Sequence, residues 1–357
     1  MGRDRSIDYR PEGASLNSEN LRPATFSLLA KAGLQGDFSI HPLQGGGNNK
    51  VFRVDLKDSC VLLKAYFQHP EDPRDRLQAE FSFSSFAWKN GIRCLPQPIA
   101  CDSQNRLGLY EFVQGRQLLP HEVTETMIWQ AFNFYGELNR CKQLPGAAAL
   151  PKASEACFAI ATHLQCVERR LRRLRGVDDS SGIDREAAHF IRNELSRVWS
   201  RVAESVFDQA CKLSLPIDNE IAQQDRCLSP SDFGFHNAIL SDEGQLRFID
   251  FEYAGWDDPA KMVCDFFCQP AVPVPLDYYD MFIESVISDL SQPEVHLQRI
   301  VLLLPVYQIK WCCILLNDFL PTGSERRRFA SHVVDQEAQK VKQLEKARHA
   351  LQTLTRF

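Results

Sequence analysis

Alternating apolar and polar residues mark the first third of the chain as sheet. Phe38-Ser-Ile-His-Pro-Leu and Val51-Phe-Arg-Val-Asp-Leu flank Gly45-Gly-Gly-Asn-Asn, which predicts a strand, a tight loop and a returning strand. Cys60-Val-Leu-Leu-Lys-Ala-Tyr and Leu107-Gly-Leu-Tyr-Glu-Phe-Val read as further strands, the second closing at Gly115. Between them, residues 74–90 contain no Gly or Pro and space their apolar positions as a helix does. Residues 1–23 are polar and end at Pro23, so an N-terminal arm is expected there. Past residue 114 the period lengthens. Helical patterns cover 123–141, 153–175 and 185–212, and the rest is helical apart from short strands at Ala238-Ile-Leu and Leu246-Arg-Phe-Ile. The expected class is α+β: an arm over 1–23, a small sheet-rich lobe with one helix over 24–113, and a larger helical lobe over 114–357.

Composition narrows the setting. A chain of 357 residues, 44% hydrophobic and 24% charged, has enough apolar surface for two lobes with packed cores. The charged opening Met1-Gly-Arg-Asp-Arg-Ser has no apolar run behind it, so no secretory signal is expected and the cytoplasm is the expected location. Gly2 and Ser6 fit a short N-myristoylation pattern that arises often by chance. The most apolar stretch, 300–316, is broken by Pro305, Gln308 and Lys310 and reads as a core helix rather than a membrane span. Twelve cysteines are scattered without a C-x-x-C pair, which fits reduced packing thiols; Cys264 and Cys268 share a helical face but lack partners for a zinc site.

The net charge of -5 conceals an uneven distribution. Residues 214–291 hold 15 acidic and 3 basic residues, whereas Glu168 to Arg175 is Arg-rich. Without interleaved aromatics the Arg-rich turn reads as a solvated helix face, and no nucleic-acid partner is expected.

The acidic segment also contains the residues with the most chemistry. Ser229-Pro-Ser-Asp-Phe-Gly-Phe-His-Asn237 sets Asp232 and Asn237 five residues apart, and Leu246-Arg-Phe-Ile-Asp250 delivers a second carboxylate at a strand end. Phosphoryl transfer needs these parts: one carboxylate to accept a hydrogen bond from the attacking hydroxyl, and an amide and a carboxylate to hold Mg2+. An Asp after Ser-Pro-Ser would by itself be a turn or cap residue; its linkage to Asn237 and Asp250 changes the reading. His236 reads as a packed or supporting histidine. Asp258 is placed to cap a following helix, and Asp265 is either a buried anchor or a surface acid.

This D-x-x-x-x-N and I-D-F pattern resembles the aminoglycoside phosphotransferase family, the small-molecule branch of the protein-kinase-like fold. The resemblance spans about Phe38 to Asn317 and is strongest between Leu228 and Phe267. It implies a two-lobed fold, ATP and Mg2+ as cofactors, and a small hydroxyl acceptor. Asp232 would orient the acceptor hydroxyl and take up its proton, while Asn237 and Asp250 hold the metal. Lys64, in isolation a strand-end lysine, would contact the phosphates with Glu80 as its ion-pair partner. Gly45, Gly46, Gly47 and Asn48 resemble the family's looser phosphate loop, and Glu111 and Val113 its adenine-facing hinge. Lys310 to Asn317 is similar to its C-terminal core helix. Pro230 departs from the pattern, which has His there. Asp250-Phe-Glu replaces D-F-G, and no activation segment follows.

The expected activity is ATP-dependent phosphorylation of a sugar, amino sugar, amino alcohol or similar molecule. The alternatives are a nucleotide-binding protein without turnover and a kinase acting on protein. The small acceptor is expected to enter a cleft walled by the acidic segment 214–291, where, if those acids face the cleft, a cationic acceptor gains from their field. No membrane partner is expected, and the sequence carries no signal of oligomeric state.

Overall fold

A computed structural model describes residues 18–43, 49–68, 72, 74–321, 329 and 335–354. The alternating segments form one antiparallel sheet, ordered β1-β2-β3-β5-β4, from β1 (Ser39–Pro42), β2 (Lys50–Asp55), β3 (Cys60–Ala65), β4 (Pro98–Asp102) and β5 (Leu107–Glu111). Strand periodicity decides where the lysine goes. Val61, Leu63 and Ala65 of β3 are buried in a small core with Val54, Leu107 and Leu109, so Leu62 and Lys64 face the opposite side. Helix α1 (Ser18–Lys31) closes that core with Leu28 and Leu29. It begins before Pro23, where the arm was expected to end. Proline removes one backbone donor from an early turn, and burial of Leu21, Ala24, Leu28 and Leu29 holds the helix together across it.

Helix α2 (Arg76–Lys89) is capped by Asp75, whose carboxylate accepts the Gln78 N–H at 2.9 Å. Its Phe83, Phe86 and Ala87 join a second, larger core built from the helices that follow. These are α3 (Glu125–Arg140), α4 (Ile160–Leu174), α5 (Gly182–Phe190), α6 (Ser196–Lys212), α7 (Pro259–Cys268), α8 (Tyr279–Ile287), α9 (Pro293–Leu315) and α10 (Gln336–Gln352). A π turn at Ile191–Leu195 divides the expected 185–212 helix. The helix expected from Ala153 starts only at Ile160, because the Ala153 and Ser154 N–H groups bond the carbonyls of Trp256 and Tyr253, each at 2.9 Å.

Two small antiparallel ladders carry the cleft-side loops. β6 (Arg116–Gln117), β8 (Ala238–Leu240) and β9 (Leu246–Phe248) form one; β7 (Cys227–Ser229) and β10 (Gly255–Asp257) form the other. The apolar segment Pro293–Phe319 is long and apolar enough to cross a bilayer, but 72% of its most apolar window is buried inside the protein, as in a core helix. All twelve cysteines are free thiols.

Candidate active site

At the end of β7 the backbone turns sharply, and two successive non-glycine residues adopt left-handed conformations: Ser231 at φ 47° and Asp232 at φ 50°. Asp250, just beyond β9, is a third at φ 68°. Each such residue costs roughly 1–3 kcal/mol, so surrounding structure must hold it. Phe233 and Phe235 do so by burial; the Phe233 ring lies 5.0 Å from Phe266 and 5.2 Å from Phe248. Ser229 Oγ accepts the Ser231 N–H at 3.1 Å. Pro230 is buried in this turn, and the support for Asp232 comes from its C-terminal side. His236 Nε2 donates to Asp232 Oδ1 at 3.3 Å, and Asn237 Nδ2 donates to the Asp232 carbonyl at 3.0 Å and to Oδ2 at 3.4 Å. Burial pushes the Asp232 carboxyl up, but His236, then Asn237 and Lys310, more than offset it, so the group stays below its ordinary value and ionised.

Lys64 crosses the cleft between lobes. Its ammonium donates to Glu80 Oε2 at 2.6 Å and to Asp250 Oδ1 at 2.5 Å. Glu80 also accepts the Tyr66 hydroxyl at 2.8 Å, and Tyr66 meets the Tyr110 hydroxyl at 2.7 Å. One cation here serves several acids. Burial first, with repulsion from Asp250, raises Glu80 to about 7; burial and Glu252 raise Asp250. Burial disfavours the Lys64 charge, yet Asp250, Glu80 and Glu252 hold its pKa well above the ordinary value. The cluster is thus short of positive charge.

That shortage suits a divalent cation. Asn237 uses its amide nitrogen on Asp232, leaving Oδ1 for a metal, and Asp250 keeps a second carboxylate oxygen beyond the one on Lys64. Among the described residues no three His, Cys, Asp or Glu side chains converge into a self-sufficient metal site. One carboxylate and one amide are what Mg2+ takes from a protein when substrate phosphates complete its octahedron.

Two cavities divide these residues between them. The first, about 440 Å3, is lined by Lys64, Glu80, Glu111, Val113, Asn237 and Asp250. Val51 and Leu62 of the sheet form one apolar wall, and Ile239 and Ile249 the other. The Glu111 N–H is taken by the Gln97 carbonyl at 2.8 Å, so its backbone presents an oxygen. Gly115, at φ 143°, leaves this edge where a Cβ would sit 2.4 Å from the Leu240 carbonyl oxygen. The second cavity, about 330 Å3, holds Asp232 and His236. Asp232 therefore faces one space while Asn237 and Asp250 face the other.

Gly45, Gly46, Gly47 and Asn48 lie outside the described residues. Their neighbour Asn49 was not anticipated, nor was its partner. Asn49 Nδ2 donates to Glu252 Oε2 at 2.6 Å, while its Oδ1 accepts the Phe67 N–H at 3.1 Å. This ties the exit of the glycine loop to the Asp250-Phe-Glu segment. Both residues stand inside motifs visible in the sequence, but a contact spanning 203 positions leaves no local trace.

The expected acid-walled cleft is not found. Of the acids in 214–291, only Asp232 and Asp265 line the second cavity, whereas Asp218, Glu220, Asp242, Asp277, Asp280 and Asp289 are exposed on turns and helix surfaces. Asp265 is a buried anchor: it holds Lys310 at 2.8 and 3.0 Å and the Trp311 indole N–H at 3.0 Å.

A family model, APH, described as the phosphotransferase enzyme family, matches residues 39–280. No match was found among curated proteins. Solved structures resemble the chain over nearly its whole length. A choline/ethanolamine kinase family protein from Mesorhizobium loti is 14% identical with TM-score 0.57, covering 94% of this chain and 95% of that one. An ethanolamine kinase from Plasmodium vivax is 14% identical with TM-score 0.59, covering 93% and 89%. A spectinomycin phosphotransferase, solved with ADP and spectinomycin, is 11% identical with TM-score 0.56, covering 89% and 94%. At such identities the likeness is one of fold, the protein-kinase-like arrangement of a sheet lobe and a helical lobe.

Proposed function

The chain belongs to the phosphotransferase enzyme family, and from that premise we propose that it transfers the γ-phosphoryl group of ATP, with Mg2+, to a hydroxyl of a small polar molecule. The observation that carries this reading is the division of the motif residues between two cavities: Asp232 in one, Asn237 and Asp250 in the other. A phosphoryl group passing from nucleotide to acceptor has to cross between them.

In this reading the apolar walls at Val51, Leu62, Ile239 and Ile249 hold the base. The Glu111 carbonyl and the Val113 N–H face its polar edge, and the glycines at 45–47 with Asn48 approach the phosphates. Lys64, fixed by Glu80, contacts the phosphate oxygens. Asn237 Oδ1 and Asp250 would hold Mg2+, which would supply positive charge to the transferring phosphates. Asp232 stays ionised, accepts a hydrogen bond from the acceptor hydroxyl, aligns it for in-line attack and takes its proton as the new O–P bond forms and the γ-phosphorus bond to the bridging oxygen breaks, releasing ADP. His236 and Asn237 hold the carboxylate in place.

The test is ATP consumption by the full chain against a panel of sugars, amino sugars, amino alcohols and hydroxy acids, with and without EDTA. Phosphate on an acceptor hydroxyl, abolished by chelation, is the expected result. ATP binding with no turnover on any small hydroxyl compound would defeat the proposal and favour a nucleotide-binding role.

A further inference from the structure

The ion pairs in the cavity beside Asp232 determine which charge it can still take up. Its carboxylates are Glu155, Asp232 and Asp265. Glu155 is paired with Arg170, and Asp265 with Lys310 and the Trp311 indole. Asp232 is committed, in the proposed reaction, to the attacking hydroxyl. A substrate ammonium would therefore find no unpaired carboxylate.

The cations differ. Lys261 is held by Asp257 at 2.5 Å and Arg74 by Asp72 at 2.5 Å. Lys346 of α10 lines the same cavity, is exposed, and carries no ion pair among the described residues. Gln343 lies one turn earlier on the same helix, and its buried Oε1 has no hydrogen-bond partner among the described residues. The paired cations of the wall also act on Glu155. Glu155 is exposed at the cavity edge; partial desolvation pushes its carboxyl up, yet Arg170, Lys310 and Lys261 together bring it down to about 2.

We infer that the acceptor carries an oxyanion, a carboxylate or a phosphate, which binds Lys346 while a hydroxyl of the same molecule meets Asp232. Gln343 Oε1 accepts a hydrogen bond from a second hydroxyl. This inference rests on the phosphotransferase reading and narrows its acceptor class. It also assigns acceptor choice to α10, which lies beyond the family-matched residues 39–280.

The experiment uses the full chain saturated with Mg-ADP, so that only the second cavity remains to be filled, and reads ligand binding by thermal unfolding and calorimetry. Two scaffolds are compared: glucose, glucuronate, glucosamine and glucose 6-phosphate; and glycerol, glycerate, serinol and glycerol 3-phosphate. An oxyanion member on at least one scaffold should bind about tenfold or more tighter than its neutral parent. The Lys346→Glu variant should remove that advantage, and the carboxylate and phosphate arms distinguish the two oxyanions. Tighter binding of the amine, equal binding of neutral and anionic members, or no binding by any oxyanion would overturn the inference. So would an oxyanion preference left intact in Lys346→Glu. Failure of Mg-ADP itself to bind is a different result, striking the phosphotransferase reading instead.

Discussion

Asp232, after β7, and Asp250, after β9, are both carboxylates in left-handed backbone, yet their removal should have opposite kinetic signatures. Asp232→Asn keeps the shape and its contact to Asn237 but removes the proton acceptor. We expect kcat to fall at least about a hundredfold with nucleotide affinity within a few-fold, because the loss is confined to the transition state. Near-normal turnover in the folded variant would exclude this role. Asp250→Asn should instead weaken binding of Mg-nucleotide, measured by calorimetry at fixed free Mg2+, since the metal loses its anionic ligand. Unchanged affinity would remove Asp250 from the metal site. The residues carrying these roles were legible because their spacing is local: Asp232 to Asn237 is one loop, and Lys64 and Glu80 sit on adjacent elements. Asn49, Glu252, Gln343 and Lys346 were not legible, since each acquires its place only through contacts distant in the chain.

Helix α7 is held at its N-terminus by a buried carboxylate, Asp258. Asp258 caps it by accepting the Ala260 N–H at 2.8 Å, as the sequence predicts. The structure adds that this cap is the hub of a buried network. Asp258 accepts from Arg299 at 2.5 Å and from His163 Nε2 at 3.2 Å, and His163 Nδ1 meets the Tyr307 hydroxyl at 2.7 Å. Burial pushes the His163 ring toward its neutral form, so Nε2 carries the proton and Nδ1 accepts from tyrosine. Burial also opposes the Asp258 charge, but Arg299 and then His163 hold its carboxyl well below the usual range. Asp258→Asn leaves the Arg299 guanidinium buried without its counter-charge, and breaking such a pair costs about 3–5 kcal/mol.

The sign of the pH dependence follows from linkage. Because the folded-state pKa is depressed, the stabilisation is present above the ordinary aspartate value of about 3.9 and is lost as pH falls through the folded value. Urea unfolding of wild type and Asp258→Asn should therefore show a gap that is full at neutral pH and narrows in the lower carboxylate range; a gap independent of pH would show that cap geometry, not charge, was lost. At this scale the long periodic helices and alternating strands were readable. Strands β4 and β10 were not, and α1 was missed, because short strands and a proline-containing helix are decided by what they pack against.

For the whole molecule, the question is what fixes one lobe over the other, since the larger cavity draws its two apolar walls from opposite lobes. A polar clamp lies at the hinge. Arg247 of β9 bonds the Glu111 carboxylate of β5 at 2.6 Å and the Leu95 carbonyl at 2.9 Å, while the same Glu111 carboxylate accepts the Gln97 N–H at 3.0 Å. Nothing in the sequence links Arg247 to Glu111, because the two strands are 136 positions apart. Both side chains are partly exposed, so the pair itself contributes about 0–1 kcal/mol to stability. Its effect on ligand binding should be larger. The clamp is placed where a small change in lobe angle alters the spacing of Val51 and Leu62 from Ile239 and Ile249, and the nucleotide gains only when both walls close on it. Arg247→Ala should shift Tm by no more than a few degrees but raise the nucleotide Kd several-fold, with Glu111→Gln doing the same and the double variant adding little beyond either. Additive effects in that cycle would show two independent residues instead of one clamp. An unchanged Kd would place lobe orientation elsewhere, with the Asn49 to Glu252 bond, a further cross-cleft tie at the nucleotide cavity, as the next element to cut.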